Sequence, residues 1–137
     1  MPPSVFADTF YWLALAQPRD AWRVRALLWA TANPSTCIVT TDEVFTEFLN
    51  ALARTGPAGR AHAAATVHDI RADLKVIVLP QTRADFDAAL ALYEARPDKG
   101  YSLTDCRSMT ALRTLGLTEV LTNDHHFTQE GFTILFP

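Results

Sequence analysis

Four carboxylates spread along the chain, Asp8, Glu47, Asp105 and Asp124, are the side chains best placed to share one chemical task. Asp8 directly follows the apolar run Ser4–Ala7. Asp124 lies in Thr122-Asn123-Asp124-His125-His126-Phe127, after the run Glu119–Leu121. Asp105 falls in the first turn of a helix opened by Gly100-Tyr101-Ser102. Glu47 sits among Val44, Phe45 and Phe48, toward the boundary of an apolar helix face. Carboxylates gathered at one place repel each other and resist losing water unless a cation neutralises them. Hard oxygen ligands of this kind suit Mg2+ or Mn2+, with further positions left for water or a substrate phosphate. Such a centre activates water and stabilises in-line displacement at phosphorus, with two ions about 3.5–4 Å apart if both bind. Taken singly, each acid has a plainer use. Asp8 and Asp124 suit turns or caps, Asp105 suits a helix first turn, and Glu47 could be a partly solvated residue paired with Arg54. Only their joint placement points to a metal.

The elements that must position them follow from the apolar pattern. Ser4–Ala7, Cys37–Thr40, Lys75–Leu79, Glu119–Leu121 and Thr133–Phe136 read as short buried strands. Segments of helical period separate them. Thr41-Asp42-Glu43 supplies an N-cap and an acidic first turn to a helix carrying Val44, Phe45, Phe48, Leu49 and Leu52, which Gly56-Pro57 stops. Ser102 caps a second helix, with Met109, Leu112 and Leu115 on one face and Gly116 at its end. Alternation of strands and helices predicts an α/β domain with a mainly parallel sheet, whose functional crevice lies beyond the carboxyl ends of the strands. Asp8 and Asp124 fall at those ends.

With 137 residues, 49% of them hydrophobic, the chain is the length of a single domain spanning 1–137 and can bury a core without staples. Two cysteines, Cys37 and Cys106, make neither a disulfide framework nor a four-ligand zinc site. No secretion signal or membrane-spanning run is evident, so a reducing cytoplasm is the expected compartment.

Phe6-Ala7-Asp8-Thr9-Phe10-Tyr11-Trp12, Thr40-Thr41-Asp42-Glu43-Val44-Phe45-Thr46-Glu47, Asp98-Lys99-Gly100-Tyr101-Ser102-Leu103-Thr104-Asp105-Cys106 and Leu121-Thr122-Asn123-Asp124-His125-His126-Phe127 resemble the four acidic motifs of PIN-domain ribonucleases. The resemblance runs over essentially the whole chain, in order and at matching spacing, and is greatest to the VapC-type toxins of type II toxin–antitoxin pairs. It implies a three-layer α/β/α fold with a five-stranded parallel sheet in the order 3-2-1-4-5. It also implies Mg2+- or Mn2+-dependent cleavage of RNA, a cognate antitoxin and a homodimer. By position, Asp8 and Asp105 would be the principal metal ligands. Asp124 would complete the site directly or through water, and Glu47 would bind metal or orient the attacking water. Thr9 and Ser102 would support the site, and Asp98 matches an acidic position common in the toxin subgroup. Phe10 stands where many relatives carry a small or polar residue.

Other features carry less. Adjacent His125 and His126 invite a metal or base reading, but no further His or Cys stands at ligand spacing for zinc; of the two, His125 is the better placed to meet substrate. Cys106 reads as a small core residue, since no base and orienting group accompany it. Trp12, Trp22 and Trp29, with Phe10 and Tyr11, read as packing residues ahead of base stacking. Arg19, Arg23 and Arg25 could meet phosphate but read first as a solvated helix face.

Two phosphate chemistries fit poorly. An aspartyl-phosphate phosphatase needs a second Asp two residues after the nucleophile, where Phe10 stands. A phospho-receiver needs an acidic pair where Asp8 is alone. The alternative to a nuclease is a non-catalytic PIN module that binds RNA or protein. A net charge of −3 is not evidence against nucleic acid, because with the four site acids set aside, 12 basic residues face 11 acids.

Overall fold

Five short apolar runs become five strands because each carries Val, Ile, Leu or Phe that a parallel sheet can bury, although Ile77 on one edge strand stays half exposed. The computed structural model describes residues 3–137. Along the chain lie β1 (Ser4–Ala7), α1 (Thr9–Ala16), α2 (Arg23–Ala32), β2 (Cys37–Thr41), α3 (Asp42–Ala51) and α4 (Gly56–Ala72). They are followed by β3 (Val76–Leu79), α5 (Arg83–Ala95), α6 (Leu103–Leu115), β4 (Glu119–Leu121), α7 (His126–Gln129) and β5 (Thr133–Ile134). All strand pairs are parallel, in the order β3-β2-β1-β4-β5. The chain first builds outward from β1 through β2 to β3, then returns to lay β4 on the other side of β1. The connections therefore reverse direction between β1 and β4, which is where open α/β sheets place their sites. The register Phe6↔Val120 and Ala7↔Leu121 brings the residues after both strands side by side.

Phe6, Tyr11, Phe48, Met109, Leu112, Leu121 and Phe127 are fully buried and dominate the core. Each such side chain contributes about 1.5–3 kcal/mol through removal from water. Trp12 is buried with its indole N–H donating to Thr40 Oγ1 at 3.2 Å, and that hydroxyl donates to the Ala7 carbonyl at 3.0 Å. These two bonds tie the carboxyl end of β2 to that of β1, beside Asp8. Phe10 packs edge-on against Trp22 at 5.3 Å and also meets Phe136, while Tyr11 meets Trp29. The N-terminal aromatics are thus engaged with one another and with the chain's last turn. Arg23 donates to the Leu15 carbonyl, and Arg25 lies over the Trp22 ring.

Four boundaries differ from the apolar pattern, the smallest at β3, which begins at Val76 and not at Lys75. Thr41 ends β2 while its hydroxyl accepts from Val44 N at 3.1 Å, so one residue serves as both strand end and helix cap. The helix that follows ends at Ala51, and Gly56-Pro57 opens α4 instead of closing α3. The reason is local: Gly56 takes φ +84°, and Pro57 in the first turn has no N–H to leave unpaired. Lastly, β5 stops at Ile134, although Leu135 N still donates to Val120 O at 2.9 Å.

Two buried ionic groups fasten helices that the acids depend on. Arg107 of α6, only 4% exposed, donates to Glu43 of α3 at 3.0 Å and lies 3.3 Å from Asp85 of α5. It clamps the helix bearing Glu47 to the helix bearing Asp105. Glu130, after α7, accepts from Arg96 Nε at 2.6 Å, from Tyr101 Oη at 3.1 Å, and from Arg113. Burial raises the Glu130 pKa, but these hydrogen bonds outweigh it and hold the carboxyl below its usual range.

Candidate metal centre

Asp8 is set by the end of β1. It occupies the N-cap position of α1, yet its side chain makes no capping hydrogen bond. Instead Oδ2 accepts from Thr122 Oγ1 at 2.9 Å, across the switch point, and Oδ1 is buried with no partner. Loss of water raises the Asp8 pKa from 3.8 to about 7, against the pull of the Thr122 hydroxyl. The nearby charges of Asp105 and Glu47 push the same way. A carboxylate so buried and so surrounded by other acids is suited to a cation partner.

Asp105 is set by a cap. Ser102 Oγ accepts from Asp105 N at 3.0 Å, while Asp105 Oδ2 accepts from Ser102 N at 3.1 Å. This reciprocal box begins α6 and fixes the carboxylate at its first turn. Gly100, with φ +72°, turns the chain into the box. Burial raises the Asp105 pKa, and Asp124 adds to the rise; Ser102 and His126 oppose it. Ser102→Ala removes one of the two bonds and is expected to cost about 1 kcal/mol in urea denaturation. An unchanged midpoint would show that the cap adds nothing to α6.

Asp124 follows β4 and is partly exposed. Its Oδ1 accepts from His126 N at 2.9 Å, a tight turn that opens α7. The same turn directs the two histidines differently. His125 is exposed, while His126 Nδ1 lies 3.4 Å from Asp124 Oδ1 and 3.6 Å from Asp105 Oδ2. Asp105, Asp124 and His126 each offer a ligand atom, all within 4.8 Å of one another.

Glu47 is half-buried on α3, and its charge acts on Asp8. Thr9 is buried beside Asp8, with its hydroxyl unpartnered. Asp98 is placed elsewhere in character: it lies in an exposed turn, 4.0 Å from Lys99. Cys106 is fully buried and its thiol is pushed up by loss of water, which suits a core residue.

The donor set fits a divalent cation. Asp105, Asp124 and His126 gather around one point, while Asp8 and Glu47 lie outside that close group, Asp8 being coupled to Asp105 and Glu47 through charge; buried Asp8 Oδ1 and His126 Nδ1 lack hydrogen-bond partners. Sequence reasoning missed Thr122, Arg107, Glu130 and the inward turn of His126. The only advance signal was the Asp-x-His spacing at Asp124, which permits an Asx-type turn.

A parallel sheet in the order 3-2-1-4-5 with acids at its switch point defines a class of α/β domains built around one acidic crevice. The PIN-domain model matches residues 5–132, and the chain belongs to that family. Among solved structures it is similar to VapC20 of Mycobacterium tuberculosis, described as a sarcin–ricin-loop-cleaving toxin. The two share 28% identity and a TM-score of 0.81 over 94% of this chain and 96% of that one. Two others share the fold. PAE2754 of Pyrobaculum aerophilum has 17% identity and a TM-score of 0.63, covering 98% and 90% of the two chains. FitAcB of Neisseria gonorrhoeae has 12% identity and a TM-score of 0.64, covering 95% of each. No curated protein sequence matches the chain. Among the described residues, no helix is long and apolar enough to cross a membrane.

Proposed function

We propose that this chain is a Mg2+- or Mn2+-dependent endoribonuclease, the toxin of a toxin–antitoxin pair. The observation that carries the reading is the buried Asp8 Oδ1, left without a protein partner beside two further carboxylate-bearing segments at the switch point. The likeness to a toxin that cleaves the sarcin–ricin loop supports RNA as the substrate class and a cognate antitoxin as partner. A homodimer and a cytoplasmic site of action belong to the same proposal.

Asp8, Asp105 and Asp124 would hold the cation, with Glu47 beside them. When bound, a divalent ion supplies a water of lowered pKa and positive charge against the phosphoryl oxygens. The protein's own share is positional. Thr122 fixes one oxygen of Asp8 and leaves the other free, while the Ser102 box holds Asp105. Arg107 fixes α3, which carries Glu47, relative to α6, and Glu47 would bind metal or orient the attacking water. Thr9 and Ser102 would act as supports, with Asp98 in the exposed turn ahead of the Ser102 box.

Incubation of the purified chain with transfer, ribosomal and messenger RNA, with Mg2+, Mn2+ or EDTA, tests the reading. Cleavage is expected with either ion and not in EDTA. Because water and not the 2′-hydroxyl attacks, the ends should carry no 2′,3′-cyclic phosphate. Cleavage that survives EDTA, or cyclic ends, would overturn the metal mechanism. Metal binding without cleavage of any RNA would favour a binding module.

A further inference from the structure

We propose that His126 Nδ1 is a direct ligand of the cation held by Asp105 and Asp124, and that it biases this site toward transition-metal ions over Mg2+. The inference rests on the reading of the acids as a metal centre and adds to it a nitrogen donor. Three features of the ring carry it.

The first is distance. Ligand atoms at about 2.1 Å from an octahedral ion stand about 3.0 Å apart along an edge. Nδ1 lies 3.4 Å from Asp124 Oδ1 and 3.6 Å from Asp105 Oδ2, close to edge spacing for both. As hydrogen bonds these contacts are too long or too bent, and Nδ1 is left buried without a partner. The ring is one-third exposed, but its Nδ1 is buried, faces two carboxylate oxygens and is hydrogen-bonded to neither, which suits it to donate to an ion shared with them.

The second is orientation. Asp124 Oδ1 takes the His126 backbone N–H at 2.9 Å, which fixes the residue at the mouth of the cluster. The Tyr101 ring packs against the imidazole edge-on, with centroids 5.3 Å apart at 62°. The Tyr101 hydroxyl is itself anchored, donating to Glu130 at 3.1 Å. On the opposite edge, a Cβ added at Gly100 would stand 4.0 Å from Nε2, so the chain lies close to that nitrogen. Nε2 is therefore turned to Gly100 and Nδ1 to the acids, and the ring has a wall that keeps it so.

The third is donor chemistry. An all-carboxylate site with water suits Mg2+ and Mn2+ alike, whereas imidazole favours later, softer ions over Mg2+. Exchanging one oxygen for a nitrogen raises the discrimination between them.

Isothermal titration of the purified full chain with MnCl2, CoCl2 and MgCl2, without RNA, tests this apart from activity. His126→Ala should weaken Mn2+ and Co2+ binding by at least about tenfold and Mg2+ by clearly less. His126→Asn places an amide oxygen near the position of Nδ1. It should keep Mg2+ binding and still lose the preference for Co2+. The visible spectrum of the Co2+ form should shift in both variants, as expected when a nitrogen ligand is lost. Equal weakening for all three ions, or an unchanged Co2+ spectrum, would overturn the proposal. Asp105→Asn serves as the separate check. If it leaves ion binding intact, the metal centre itself is wrong; if it abolishes binding while His126→Ala leaves ion preference unchanged, only the role of His126 fails.

Discussion

Asn in place of Asp8 or Asp105 is expected to reduce RNA cleavage by at least about a thousandfold while the protein stays folded. Each substitution keeps the size of the side chain and removes an anionic ligand. A metal centre supplies several kcal/mol of stabilisation to charge developing at phosphorus, and each 1.36 kcal/mol is about tenfold in rate. Folding should survive for a local reason. At position 105 an amide oxygen can still accept from Ser102 N, so the capping box that begins α6 persists. At position 8 an amide oxygen can still accept from Thr122 Oγ1. The measurement is cleavage rate at saturating metal, beside circular dichroism of each variant. Full activity in either purified variant would remove that residue from the site.

The same substitution at position 8 should stabilise the metal-free protein, the opposite of what most buried changes do. The Asp8 pKa is raised from 3.8 to about 7 in the folded protein. Between about pH 4 and pH 7 the native state then binds more protons than the unfolded state, so stability falls as pH rises through that window. The full penalty, on the order of 4 kcal/mol when no ion is bound, is reached above pH 7. Asp105 is shifted in the same direction, chiefly by loss of water. Glu130 runs the other way, because its lowered pKa withdraws stability only at acid pH, outside this range. In EDTA, thermal melting of the wild-type chain should move downward from pH 5 to pH 8. Asp8→Asn should flatten that trend and melt higher than wild type at pH 8. Added Mn2+ should recover stability in wild type and much less in the variant, since ions that bind only the native state stabilise by mass action. A wild-type profile flat over pH 5–8 would show that Asp8 does not carry this burial cost.

The charge of Asp8 is unfavourable where it stands, Thr122 satisfies only one of its oxygens, and on the proposed reading a cation offsets the rest.

Much of this architecture can be read from local pattern. The strand positions are set by runs of Val, Ile, Leu and Phe too short and too apolar for surface helices, and all five appear within a residue or two of the expected bounds. Thr41 and Ser102 cap because their hydroxyls reach amides two or three residues ahead, a relation that involves no distant part of the chain. Gly56-Pro57 shows the limit of that logic. The pair marks a helix boundary unmistakably but does not say which side of it the helix lies on, and here it opens α4.

The acids divide in the same way. That Asp8 and Asp124 end strands, and that Asp105 begins a helix, is a local property and was visible in residue order. Their convergence depends on the parallel register Ala7↔Leu121, on the Arg107 clamp between α3 and α6, and on the reversal of connection at β1 and β4. None of these is encoded by neighbouring residues. The histidines are the sharpest instance: His125 and His126 have the same chemistry and adjacent positions, and sequence pattern favoured the first. A single hydrogen bond from His126 N to Asp124 Oδ1 turns the second inward, and the Tyr101 wall holds it there. The sequence by itself determined which side chains were available, the spans of the strands and the caps that begin the helices, because those rest on contacts within a few residues. Tertiary structure decided which of those side chains meet, because meeting depends on register and packing between segments as far apart as Asp8 and Thr122.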